Sequence, residues 1–196
     1  GKMIYHQDQP FSTASHYSEF NVFRKAAENK MIVMLDGQGS DEYLCGYPEF
    51  FIARIKELFG EWKFRSALHL LKQKAEHRGN GLLSESKNFL RSAYLYPLLT
   101  RMKRFLGKND YPWLHRNWQK LAKNKLVSFN ASNIRDLSIQ EIVHTSIPYQ
   151  LHSEDRNSMM FSIESRLPFL CPRLVEFVIG LPSEYEIKDG NTKYVL

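Results

Sequence analysis

Met31-Ile32-Val33-Met34-Leu35-Asp36-Gly37-Gln38-Gly39-Ser40-Asp41-Glu42 is the stretch on which the reading of this 196-residue sequence turns. Five apolar residues run without alternation, which predicts a short strand, Met31 to Leu35, buried on both faces. Two glycines and three carboxylates follow at once. Carboxylates repel one another and resist burial, so a structural partner or a cationic ligand must offset them. The glycines permit positive φ and a close approach of the backbone to a ligand.

Working outward, Ser18 to Lys30 predicts a helix with Phe20, Phe23, Ala26 and Ala27 on one face. A helix feeding a buried strand is one αβ unit of a parallel sheet, and ligands bind beyond the carboxyl ends of such strands. Asp41 is a good N-cap, so a helix is expected to start there and to offer free N–H groups to an anion. Beyond Pro48 the pattern is helical. One helix ends at Gly60, and Phe64, Ala67, Leu68 and Leu71 mark the next. Arg78 to Gly81 breaks the chain, and Ser84 to Leu106 is a helix expected to bend near Pro97. Tyr111 to Asn124 predicts a further helix. Ser138 with Glu141 has the spacing of a capping box, Pro148 marks a kink or joint, and Pro172 opens a last helix through Ile179. The expected fold class is therefore α/β, with one αβ unit of a parallel sheet and the chain predominantly helical around a short buried strand near 31–35. A lone parallel strand would leave its backbone groups unpaired, so a second strand is hidden or lies elsewhere.

Composition sets the outer limits. The chain is 43% hydrophobic and 24% charged, an ordinary globular balance. No apolar run approaches the roughly 18 residues of a membrane span, and the first residues contain no apolar core of a signal peptide. Cys45 and Cys171 form neither a disulfide framework nor metal-ligand spacing, so a reducing, cytoplasmic compartment is expected. The net charge of +6 is uneven, with 17 Lys/Arg against 5 Asp/Glu between Arg54 and Lys125. Solvated helix faces account for this best, and a helical nucleic-acid-binding piece is the weaker alternative, since no RRM, KH or zinc-finger signature is present.

The turn alone supports two readings: a nucleotide-phosphate and metal site, or a tight turn with a capping Asp. A second dense stretch, Glu154-Asp155-Arg156-Asn157-Ser158-Met159 running on to Glu164-Ser165-Arg166-Leu167-Pro168-Phe169, is likewise open. Arginine forks suit carboxylates and phosphates, but these charges can also pair internally and pin a helix.

Taken together, LDGQGSDEYLCGY, EDRNSMMFSIESRLPFL and KDGNTKY, with YHQDQPF at the start, closely resemble the synthetase domain of glutamine-hydrolysing asparagine synthetases; β-lactam synthetase belongs to the wider group. The resemblance spans nearly the whole chain and is least diagnostic at about 60–135. It implies a PP-loop ATP pyrophosphatase fold, a parallel sheet flanked by helices. It implies ATP and Mg²⁺ as cofactors and adenylation of the aspartate side-chain carboxylate. Ammonia from a separate glutaminase domain then gives asparagine, AMP and pyrophosphate. By motif match, Asp36, Gly37 and Gly39 are expected at the nucleotide, Asp41 at the metal and pyrophosphate, and Gln38, Glu164 and Arg156 in catalytic positions. Asp155 and Arg166 are expected at the substrate. Gln38 stands where relatives carry Glu or Tyr, and an amide can orient groups but cannot act as a base. A relative acting on another carboxylic acid is the alternative within this chemistry.

The family's Ser-Gly-Gly-x-Asp-Ser pyrophosphate loop is absent from this sequence, and so are its glutaminase domain and its downstream charge-stabilising lysine. The expectation is an internal fragment with half of the active site, inactive by itself. Lys193 is not expected to play the part of that lysine.

Overall fold

The computed structural model describes residues 1–9, 11, 13–105, 115, 117–118 and 131–196. The expected helix from Tyr111 to Asn124 lies almost wholly outside the described residues.

The first helices are α1 (Lys2–Gln7) and α2 (Ser15–Glu28), after which β1 (Val33–Leu35) begins. Then come α3 (Pro48–Gly60), α4 (Phe64–His77), α5 (Leu82–Leu90), a π-helical turn (Arg91–Leu95) and α6 (Tyr96–Phe105). The last part holds α7 (Ile134–Val143), α8 (Ser146–Met159), β2 (Glu164–Arg166), a 3₁₀ turn (Pro168–Leu170) and α9 (Pro172–Ile179). The chain is mostly helical, with one two-stranded sheet among the described residues.

β2 is the hidden partner of β1. The strands pair in parallel, Val33 with Glu164, Met34 with Ser165 and Leu35 with Arg166. Glu164 N–H donates to the Ile32 carbonyl at 2.8 Å, and Asp36 N–H donates to the Arg166 carbonyl at 2.9 Å. Thus β2 satisfies backbone groups at both ends of β1.

The strand differs from expectation in burial. Met34 is half-buried, whereas Val33 and Leu35 are 38% and 72% exposed, so β1 is covered on one face by α2 and open on the other. Phe23, Ala26 and Ile163 form the buried contact there, with Met34 and Phe161 packed against them. A buried-strand composition on a half-open strand leaves an apolar surface.

The larger core is helical. Phe50, Ala53, Ile55 and Leu58 of α3 meet Leu70 and Leu71 of α4, Phe89 of α5, and Ile134 and Leu137 of α7. A third cluster ties Tyr43 and Leu44 to Val178 of α9. Several basic residues of the middle region are spoken for: Arg54 pairs with Glu57, Lys63 with Glu61 and Lys72 with Glu76, and Lys74 lies 5.0 Å from the centroid of Phe51.

Local signals were met unevenly. Pro172 opens α9 and Pro48 opens α3, where a missing N–H costs nothing. Pro148 sits in the first turn of α8, marking a joint rather than a kink. Where a bend near Pro97 was expected, a π turn, Arg91–Leu95, interrupts the α-helical run just before it. Two caps were placed wrongly. Asn133, not Ser138, caps α7, because its Oδ1 accepts from Asp136 N–H at 2.7 Å, while Ser138 is buried within the helix. No helix starts at Asp41 either: residues 41–45 form turns, closed by Leu44 N–H to Ser40 O at 3.0 Å and Gly46 N–H to Asp41 O at 2.9 Å. Cys45 then takes φ 60°, which ends the run before Pro48.

Candidate functional site

The site is built on the parallel pair. At its carboxyl end, Asp36 to Ser40 forms the predicted loop, tied to β2 through the Asp36–Arg166 backbone bond. Gly39 has φ +93°, and a Cβ there would sit 2.2 Å from Leu170 Cδ2, so both conformation and close approach require glycine. Gly37 is exposed, and a Cβ on it would meet nothing within 4 Å. One glycine shapes the turn; the other leaves its backbone open.

Asp36 and Gln38 line a cavity of about 550 Å³ together with His16, Glu19, Tyr149 and Gln150. His16 is held by two hydroxyls, Tyr149 Oη at 3.0 Å from Nε2 and Ser153 Oγ at 2.8 Å from Nδ1, and burial lowers its pKa. Asn157 donates to Glu19 at 2.6 Å, and Gln7 donates to Asn157 at 2.8 Å. Burial raises the Glu19 pKa, with Asn157 opposing and the charge of Asp36 adding to the rise. This polar network locks α1, α2 and α8 into one wall.

Asp155 and Glu164 face a second pocket of about 300 Å³, shared with Glu154, Ser158 and Ser165 and with apolar Leu151 and Met159. Asp36 and Gln38 thus line one pocket and Asp155 and Glu164 another; Glu164 pairs with Val33 at the amino end of β1, whereas Asp36 follows its carboxyl end.

Two arginines are engaged in ion pairs. Arg156 pairs with Asp8 at 3.0 Å and so ties α8 to the end of α1. Arg166 pairs with Glu164 at 2.8 Å through its Nε, which lowers the Glu164 pKa by that hydrogen bond. Both members of this second pair are exposed, and such pairs contribute little to stability.

Asp41 is offset by a side chain. Lys193 Nζ lies against Asp41 Oδ1, both groups half-buried, and Lys193 N–H donates to the Leu44 carbonyl at 3.0 Å. Gly46 leaves no room on the other side: a Cβ there would lie 2.1 Å from the same oxygen. Among the described residues no group of three His, Cys, Asp or Glu could hold a metal. A lone carboxylate suits a Mg²⁺ that arrives on phosphates, which uses one or two carboxylates, and not an ion held by protein alone.

The third acid of the turn has a different partner set. Glu42 is buried and accepts from Tyr47 Oη and from Ser146 Oγ, each at 2.7 Å. Gln150 Nε2 donates to Ser146 Oγ at 2.8 Å, so the cavity wall is bonded to the turn. Burial, then this contact with Glu42, pushes the Tyr47 phenol up to about 12.

Sequence reasoning missed Glu19, Glu154 and the partner role of Lys193. Glu154 adjoins Asp155 in the chain, but nothing local marks it as buried. Glu19 and Lys193 reach the site only through long-range packing.

The family model for asparagine synthase matches residues 1–196. The chain is 27% identical over 204 residues to asparagine synthetase [glutamine-hydrolyzing] 1 of Bacillus subtilis (strain 168), covering 100% of this chain and 32% of that protein. It is 28% identical over 181 residues to asparagine synthetase [glutamine-hydrolyzing] 2 of the same organism, covering 89% of this chain and 20% of that protein. The chain thus spans about a third or less of the curated relatives it matches. No solved structure matches it. With the family model matched along its full length, the chain belongs to the asparagine synthase family.

Proposed function

We propose that the protein carrying this segment is an ATP-dependent amide-forming ligase that adenylates the side-chain carboxylate of aspartate and passes the acyl group to ammonia. The observation that carries this reading is the Asp36–Arg166 backbone bond, which sets the two motif stretches side by side at the carboxyl end of the parallel pair. That is where open α/β sheets place ligands. The parent fold in this reading is the PP-loop sheet flanked by helices, of which β1 and β2 are two strands.

In this reading the exposed backbone of Gly37 and the Asp36 to Gly39 turn meet the nucleotide. Gln38 orients the acyl-adenylate by hydrogen bonding from the wall of the larger cavity. Asp155 and Glu164 bound the aspartate side, with Arg166 fixing Glu164. Arg156 serves by holding α8 on α1. A carboxylate is a poor electrophile until adenylation supplies a leaving group. Its oxygen attacks the α-phosphorus, pyrophosphate departs, and ammonia later displaces AMP. Mg²⁺ bound on the phosphates would neutralise charge developing on their oxygens. Asp41 would turn from Lys193 toward that charge. Ammonia would come from glutamine, as the names of the two Bacillus subtilis relatives say of those proteins.

The test follows one oxygen atom. Aspartate labelled with ¹⁸O in its side-chain carboxylate is turned over by the intact protein, and AMP is analysed by mass spectrometry. The reading expects one ¹⁸O in AMP per asparagine formed. Label in inorganic phosphate, with ADP as product, would contradict it.

A further inference from the structure

We propose that Glu154 is a positioning residue for the Asp36 turn: its buried carboxyl fixes Ser165, and through β2 it sets the backbone bond from which the turn starts. The inference rests on reading that turn as the nucleotide turn. Ser165 Oγ donates to Glu154 Oε1, and Ser165 is the middle residue of β2, paired with Met34. The next residue, Arg166, supplies the carbonyl that receives Asp36 N–H at 2.9 Å. One side chain on α8 therefore reaches the first residue of the turn through two hydrogen bonds and one residue of strand.

The surroundings show that the carboxyl does more than fill space. Glu154 is 1% exposed, and its Oε2 has no hydrogen-bond partner among the described residues. The charged groups around it are mostly acids. Glu19 faces it from α2 and Asp36 from the end of β1, and both charges act on it. Asp155 and Glu164 share its pocket. The nearby cations are committed elsewhere: Arg156 to Asp8 and Arg166 to Glu164. His16 is bound by Ser153 and Tyr149, and His152 Nε2 lies 3.0 Å from the Gln7 carbonyl. A purely apolar packing role would have been met by leucine or methionine at less cost. A carboxyl that keeps a proton here can still hold Ser165 and adds no third anion beside Asp36 and Glu19.

Burial raises the Glu154 pKa to about 7, with Ser165 opposing and the Asp36 and Glu19 charges adding to the rise. Deprotonation places a new negative charge behind Asp36 and changes the strand end that carries it.

The experiment uses the intact protein without nucleotide, so its failure is separable from failure of the ligase reading. The ¹³Cδ signal of Glu154 and the amide signal of Asp36 are followed by NMR from roughly pH 4 to 9, a range that brackets ordinary and raised carboxyl values. Glu154 is expected to titrate at about 7, and the Asp36 amide to move with the same midpoint. Glu154→Gln, which keeps shape and the Ser165 bond, should hold Asp36 at its low-pH position and abolish that transition. Ser165→Ala should shift the Glu154 midpoint upward, because it removes the bond that favours the anion. Titration of Glu154 in the ordinary carboxylate range would overturn the proposal. So would an Asp36 transition unchanged in Glu154→Gln.

Discussion

Gly39 and Glu186 show at residue scale how the chain's chemistry is fixed by what surrounds each group. Gly39 combines a left-handed φ with Leu170 packed on the place where a Cβ would go. Gly39→Ala is expected to cost about 1–3 kcal/mol for backbone strain, with overpacking against Leu170 added. Urea denaturation checks this, and an alanine variant as stable as the parent would contradict the turn geometry. Glu186 is buried and accepts from Cys45 Sγ at 3.2 Å. Burial first, and then the Glu57 charge, push it from 4.5 up to about 7, with Cys45 and Arg54 opposing. Its folded value exceeds its unfolded one, so the native chain holds a proton that the unfolded chain releases. The resulting stabilisation is full below about 4.5 and is lost as pH rises through about 7. Glu154 acts in the same direction. Urea midpoints compared at roughly pH 5 and pH 8 should fall with pH in the parent and fall less in Glu186→Gln.

At the scale of elements, capping separates what local sequence tells from what it does not. Asn133→Ala should destabilise by about 1 kcal/mol, the usual worth of a cap. Ser138→Ala should be neutral or stabilising, because the Ser138 hydroxyl is buried with no hydrogen-bond partner among the described residues. Thermal melts of the two variants check the pair, and the reverse order would restore Ser138 as the cap. The capping-box spacing was present, but Asn133 one turn earlier bonded first. Helices with strong apolar stripes, α3 and α4, were legible because packing and periodicity agree there. β2 was not, since Glu-Ser-Arg looks polar and helical beside α8. Its alternation is nonetheless readable: Ile163 is buried, Glu164 exposed, Ser165 half-buried and Arg166 exposed. Ser162 at φ 56°, with Ile163 N–H bonded to Ser158 O at 3.1 Å, ends the helix in a left-handed cap that the sequence does not advertise.

For the whole molecule, the motifs marked a candidate site and the structure shows what its side chains touch. Asp36, Gln38, Asp155 and Glu164 were expected at one site; the structure puts the first two in one pocket and the last two in another. The ion pairs of Arg156 with Asp8 and of Lys193 with Asp41 depend on folding across more than 140 residues, and no local pattern encodes them. The apolar character of β1 was legible, while its half-open setting was not, because composition reports what a strand tolerates and not what covers it. Among the described residues no helix is long and apolar enough to cross a membrane.

In the proposed ligase the Asp36 to Asp41 turn handles the nucleotide's phosphates. Aspartate-dependent exchange of labelled pyrophosphate into ATP, measured in the intact protein, tests it most directly. Gln38→Ala should weaken exchange mildly, through the apparent affinity for aspartate. Asp41→Asn should lower exchange by about 10²-fold or more, the usual loss when a group serving a charge-developing step is removed. Its melting temperature should stay close to the parent's, since a half-exposed ion pair with Lys193 contributes little to stability. Parental exchange in Asp41→Asn would contradict the account and leave Asp41 as the partner of Lys193 alone.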